Sequence, residues 1–126
     1  MNQNLIDTSK AFRSFRFAGA GIMSLFRYEN NARIHLLAAL LVIFLGVGLQ
    51  ISLAEWGLVI TQIGLVWMAE AFNTALEKLA DVVSPDYHPT IKAVKDLAAG
   101  GVLMVALSAV IVGGLVFIPK LLALFL

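Results

Sequence analysis

From Leu97 to Ile118 the chain runs LAAGGVLMVALSAVIVGGLVFI without one ionisable side chain, and that run decides most of what the molecule can become. A helix rises 1.5 Å per residue, so about 20 apolar residues cross the roughly 30 Å of hydrocarbon in a bilayer. Two more segments have the same character, HLLAALLVIFLGVGLQI from His35 and WGLVITQIGLVWMAEAFNTAL from Trp56. Hydrophobic residues make up 60% of the 126 and charged residues 13%, with a mean hydropathy of +0.91. A soluble domain carries roughly 45–50% apolar residues. The expectation is one all-α integral membrane domain over 1–126, with transmembrane helices at about 32–51, 53–82 and 91–118. Three spans in one copy enclose little polar volume, so oligomerisation is expected.

The segment ahead of the first span is different. Met1 to Ser9 is polar and lacks the basic start, apolar run and small-residue cleavage site of a leader, so no cleaved signal peptide is expected. Asp7, Thr8 or Ser9 can cap a helix through KAFRSFRFAGAGIMSLFRYE, about 8–28. Lys10, Arg13 and Arg16 alternate there with Phe12, Phe15 and Phe17, the pattern of an amphipathic helix lying at the headgroups; a basic flank that only orients the protein has the same composition. Gly19 and Gly21 follow no strand and precede no lysine, so they read as close packing or a bend, not a phosphate loop. Ser52 and Glu55 form a capping-box pair that starts the second span, and Trp56 falls at interface depth. Thr90 can cap the last helix, which Pro119 and Lys120 are expected to end. Ala98 to Gly101 and Gly113 with Gly114 offer close-packing faces.

Against this background the polar residues stand out. Glu70, Asn73, Glu77 and Asp81 recur at helical spacing and share one stripe. A helix end emerging into water would show such acids too, but Phe72, Leu76 and Leu79 keep an apolar face opposite, and ionisable groups near hydrocarbon usually handle a cation, a proton or a polar substrate. Glu29, at the start of the first span, reads on spacing as a surface charge paired with Arg33. Asp86 and His88 flank Tyr87 in the proline-bounded link VVSPDYHPT, where a lone histidine is ordinarily solvated. Of the nine Lys and Arg residues, all but Lys120 fall on the side carrying these groups. The positive-inside rule makes that side cytoplasmic.

Carboxylates, an amide and Lys95 with Asp96 thus gather where water meets lipid. Phosphoryl transfer to a lipid alcohol needs such a set: carboxylates to hold Mg²⁺ against phosphate oxygens, a lysine to offset developing charge, and one more carboxylate to take the hydroxyl proton. No Walker A sequence, zinc motif or Gly-x-Ser-x-Gly elbow occurs. With no cysteine, disulfides and thiolate metal sites are ruled out.

Four ordered motifs carry a resemblance: ExNxRIH at Glu29 to His35, ExxNTALExxxD at Glu70 to Asp81, YHP at Tyr87 to Pro89 and KDLAAG at Lys95 to Gly100. Together they resemble the small prokaryotic diacylglycerol kinase and undecaprenol kinase family across nearly the whole chain. The resemblance implies a homotrimer of three-span subunits in the bacterial cytoplasmic membrane, using ATP and Mg²⁺, with sites near subunit boundaries facing the cytoplasm. Carried over by position, Glu70 is the proton acceptor, with Asn73 and Lys95 beside it in the catalytic set, and Glu29 and Glu77 are metal ligands. Lys10, Phe17, Glu29, Glu77, Asp86, Tyr87, His88, Lys95 and Asp96 fall at nucleotide positions. Lys10, Glu70 and Ala99 fall at lipid positions, with Asp81 and Arg33 supporting. Lys10 stands where the family often has arginine, and Phe17 where it often has tyrosine. The ENNARIHL and YHPTIKAVKDLAAG segments look closer to the undecaprenol branch, and both lipids stay in the expectation. No nucleic-acid partner is expected.

Two other classes compete. A small oligomeric proton-coupled transporter could use Glu70, although Glu77, Asp81, Lys95 and Asp96 collect at one interface and not along a path. A noncatalytic assembly subunit would need only the Gly and Ala faces.

Overall fold

A computed structural model describes residues 6–126. Residues 1–5, on which the expectation about a signal peptide partly falls, lie outside the described residues. Four helices follow one another: α1 (Thr8–Tyr28), α2 (Asn30–Gly48), α3 (Leu53–Val83) and α4 (Pro89–Phe125). The described residues contain no strand. α2, α3 and α4 are each long and apolar enough to cross a bilayer.

Asp7 supplies the cap of α1, its carboxylate accepting from the Lys10 amide at 3.1 Å. Phe12, Phe15, Ile22 and Phe26 then share one face. Only near its end does α1 dock, with Leu25 buried and the Phe26 ring edge-on to Trp67 at 5.2 Å. Gly19 and Gly21 meet no neighbour within this chain and sit in unbroken helix, so the chain does not bend there. Arg33 does not pair with Glu29, as spacing alone predicted. Its Nε donates to the Phe26 carbonyl at 2.9 Å and its Nη2 to the Arg27 carbonyl. The free carbonyls and negative dipole end of α1 outcompete the carboxylate for the guanidinium.

α2 and α3 form an antiparallel pair through a Schellman turn. The Ile51 amide reaches back to Gly46 O and the Gln50 amide to Val47 O, at 3.2 and 3.3 Å, with Gln50 left-handed at φ 51. Ser52 Oγ then accepts from the Glu55 amide at 3.2 Å and starts α3. Here a glycine is required by contact: a Cβ at Gly46 would lie 2.7 Å from Trp56 Cη2 and 3.1 Å from Ile51 Cδ1. The buried core, Ile51, Val59, Val116 and Phe117, joins α3 and α4 beside this turn.

α4 departs from expectation at both ends. Thr90 does not cap it; His88 does, its Nδ1 accepting from the Thr90 amide at 3.1 Å, while Pro89 takes the first helical turn, where a missing N–H costs nothing. Nor does Pro119 end it. The helix continues to Phe125 with Pro119 inside, because Val116 and Phe117 anchor the preceding turn in the core and Lys120 Nζ lies 3.3 Å from Glu55 Oε2 across α3. At the far end Lys95 Nζ meets Asp81 Oδ1 at 2.5 Å. The two ion pairs are separated by about 39 Å along α3 and about 38 Å along α4 at 1.5 Å per residue. An antiparallel hairpin is therefore pinned at both ends, with its charges further apart than hydrocarbon is thick.

Candidate active site

The stripe on α3 becomes wetter along its length. Glu70 is 2% exposed and Thr74 9%, Asn73 and Glu77 are half-buried, and the Asp81 side chain is 65% exposed. Periodicity alone aligned these residues; the neighbouring helices create the gradient. Trp67, one turn before Glu70, lies against Phe26 of α1, and His35 of α2 covers Glu70 itself, its Nε2 3.1 Å from Oε1. That contact is close but not aligned for a hydrogen bond, so Oε1 remains buried without a donor. Asn73 donates from Nδ2 to Glu77 Oε1 at 3.3 Å, and its own Oδ1 is buried and unpartnered.

The antiparallel run of α2 and α3 sets the depth of Glu29. Going from His35 back to Glu29 covers about 9 Å, and going from Glu70 on to Glu77 about 10 Å in the same direction. Both carboxylates therefore lie at one level beyond the His35 and Glu70 contact. Glu29 closes α1 and opens α2 in extended backbone, φ −99 and ψ 117, and its side chain caps neither helix. It is half-buried and makes no ion pair among the described residues.

On α4, Lys95 is committed to Asp81, while Asp96 is held one turn back by Lys92 within its own helix. Ala99, one turn beyond Lys95, is exposed. Asp86 and Tyr87 project from the link between α3 and α4, where Ser84 Oγ donates to the Asp86 carbonyl at 2.9 Å. His88 spends Nδ1 on its cap, leaving Nε2 outward. Lys10 and Phe17 are not packed against this cluster; both are exposed, and Leu25 is the one buried residue of α1.

Among the described residues no three His, Asp or Glu side chains come close enough to enclose a metal ion. A dehydration-resistant Mg²⁺ does not need such a cage, since it is usually held by one or two carboxylates with phosphate oxygens and water completing the shell. Glu77, steadied by Asn73, and Glu29 at the same level fit that donor set, and the unpartnered Asn73 Oδ1 leaves an acceptor facing nothing else. Beside His35, between α2, α3 and α4, lies an apolar cavity of about 340 Å³ walled in part by Ala39, Val59, Ile63, Ala109 and Phe117.

His35 is the residue that sequence reasoning left without a role. It stood inside a quoted motif, but its partner is 35 positions away and only the register of α2 on α3 pairs them. A histidine opening an apolar span was the available signal.

The family model for prokaryotic diacylglycerol kinase matches residues 16–117. The chain is 38% identical over 115 residues to an undecaprenol kinase of Bacillus subtilis, covering 91% of this chain and 94% of that protein. It is 40% identical over 112 residues to a diacylglycerol kinase of Synechocystis, covering 88% of this chain and 64% of that protein. A diacylglycerol kinase of Helicobacter pylori is 28% identical over 95 residues, covering 75% of this chain and 74% of that protein.

Proposed function

Because the chain belongs to the prokaryotic diacylglycerol kinase family and is by that membership a lipid kinase, we propose that it transfers the γ-phosphoryl group of ATP to the hydroxyl of a membrane lipid at the cytoplasmic face. The observation that carries the reading is Glu70, a carboxylate 2% exposed with an undonated oxygen at the dry end of a polar stripe that opens to water. A lipid hydroxyl arrives from the membrane and a nucleotide from solution. Glu70 stands where they meet.

In this reading Glu70 takes the hydroxyl proton as the lipid oxygen bonds to the γ-phosphorus, and the bond from that phosphorus to the β,γ-bridging oxygen breaks with its electron pair leaving on ADP. Glu29 and Glu77 hold Mg²⁺, which when bound offsets charge on the phosphate oxygens. Asn73 fixes the Glu77 carboxylate. Lys95 turns from Asp81 toward the phosphates, an exchange that costs little because exposed ion pairs are worth about 0.2–1 kcal/mol. Asp86, Tyr87, His88 and Asp96 border the nucleotide from the exposed link and the start of α4. Lys10 and Phe17, both exposed and not packed on this chain's own cluster, would border the nucleotide from the α1 of a neighbouring copy. That arrangement, with Gly100 and Gly101 of α4 meeting no neighbour within this chain, supports a homotrimer whose sites are shared between subunits.

A polyprenol is the favoured lipid. The match to the undecaprenol kinase spans 94% of that protein at 38% identity, against 64% of the Synechocystis diacylglycerol kinase; the apolar cavity beside His35 suits an isoprenoid and an acyl chain alike. The test is transfer of labelled γ-phosphate to extracted lipid, with diacylglycerol and undecaprenol side by side and Mg²⁺ present or withheld. Mg²⁺-dependent label on the polyprenol is the expected product; label on diacylglycerol alone reassigns the lipid, and no label on either defeats the kinase reading. Glu70→Gln keeps the shape but cannot accept a proton, so turnover should fall by about 10²–10⁴ with nucleotide still bound. Unchanged turnover removes Glu70 from the role of base.

A further inference from the structure

We propose that His35 is a positioning residue for Glu70, donating from Nε2 to Oε1 so that the other carboxylate oxygen, Oε2, is aimed at the lipid hydroxyl. This deepens the kinase reading and rests on Glu70 being its base.

Three observations converge on it. Glu70 is 2% exposed, and an ionised carboxylate at that burial needs donors or an opposite charge. Its Oε1 has no aligned donor. His35 Nε2 stands 3.1 Å from that atom, and no Lys or Arg side chain among the described residues lies within ion-pair distance of Glu70. A modest turn of the imidazole converts the contact into a hydrogen bond. Catalytic hydrogen bonds commonly tighten in this way when substrate binds.

The arrangement has a direction. His35 sits on α2 and Glu70 on α3, so the contact locks the carboxylate's orientation to the packing of two spans instead of to the rotamer preference of one. With Oε1 engaged, the proton of the lipid hydroxyl goes to Oε2 as the new O–P bond forms and ADP departs. The donor role fixes the tautomer, with the proton on Nε2. The same ring borders the apolar cavity, so a chain lying there would bring its hydroxyl to the oxygen that His35 leaves free.

The test uses the full chain in lipid vesicles, measuring kcat and the KM for MgATP. His35→Leu removes the donor at similar bulk, whereas His35→Gln retains an N–H donor of similar reach. His35→Leu should lower kcat about 10–100-fold with the KM for MgATP within about twofold, and His35→Gln should recover most of that loss. A purely packing role would make Leu and Gln equally harmful or equally tolerated. If His35→Leu keeps wild-type kcat, or His35→Gln falls as far as His35→Leu, the positioning role is wrong; the Gln variant decides the matter should the Leu variant fail to fold. Glu70→Gln run in parallel separates the two failures. Its inactivity beside a fully active His35→Leu overturns only the role of His35, and its full activity overturns the assignment of the base on which this role depends.

Discussion

Glu77 and Asp81 lie one turn apart on the same stripe, yet their surroundings prepare them for different work. Glu77 is half-buried and held by the Asn73 amide at 3.3 Å, whereas Asp81 is open to water and joined to Lys95. Glu77→Gln preserves an oxygen for Asn73 to donate to and removes the charge that Mg²⁺ would need. The KM for MgATP should rise by about 10-fold or more, in line with the loss of one charge-assisted ligand. A Mg²⁺ titration checks it, and an unaltered requirement strikes Glu77 from the ligand set. Asn73→Leu should act in the same direction more weakly, since it frees the carboxylate to rotate without discharging it. Sequence spacing was enough to put Asn73 and Glu77 in reach of each other. It could not tell that Glu70 would be the dry member of the stripe, because dryness comes from His35 of α2 and from Phe26 of α1 laid against Trp67.

At the scale of elements, the corner between α2 and α3 is built from backbone geometry more than from side-chain chemistry. Gln50 holds φ 51, a conformation costing a residue with a Cβ roughly 1–2 kcal/mol, against the extra 0.5–1 kcal/mol of chain entropy glycine gives up on folding. Gln50→Gly should therefore stabilise the protein by about 0.5–1 kcal/mol, read as a raised thermal midpoint in detergent; a lowered midpoint would mean the Gln50 side chain has a partner of its own. Gly46→Ala should do the reverse, by about 1–3 kcal/mol of overpacking, because its Cβ meets the rigid Trp56 ring. The apolar runs and the Ser52 cap made three spans and a tight turn legible in advance, for these are local signals. What escaped was decided elsewhere in the molecule. Pro119 reads as a terminator, but the core contacts of Phe117 and the reach of Lys120 to Glu55 carry the helix past it. Thr90 reads as a cap, but with Pro89 in the first turn the imidazole of His88 is better placed to receive the free amide. The candidate site was legible as a set of polar residues toward one end of the spans; whether they share one ligand depends on helix register and on neighbouring copies, which no local pattern encodes.

At the scale of the whole molecule, the α3 and α4 hairpin carries an ion pair at each end, and the two differ in kind. Asp81 and Lys95 are 65% and 40% exposed, while Glu55 and Lys120 are 28% and 31% exposed, with Glu55 Oε2 lacking an aligned donor even with the ammonium 3.3 Å away. The first pair is screened by water and free to exchange, as the proposed turn of Lys95 toward phosphate would require. The second is a sheltered clamp at the opposite membrane face, next to the buried core that fixes how α3 and α4 cross. Asp81→Asn should thus change stability by less than about 1 kcal/mol, whereas Lys120→Met leaves a sheltered carboxylate oxygen unpaired and should cost about 1–3 kcal/mol. Combining Glu55→Gln with Lys120→Met should restore much of that loss, because the expensive state is the uncompensated charge and not the missing bond. Denaturant unfolding of the three variants beside the unmodified chain in one detergent measures all of these terms. Equally small losses at the two ends would mean that the hairpin is held by apolar packing alone, and the separation between an exchangeable ion pair and a sheltered one would fall with it.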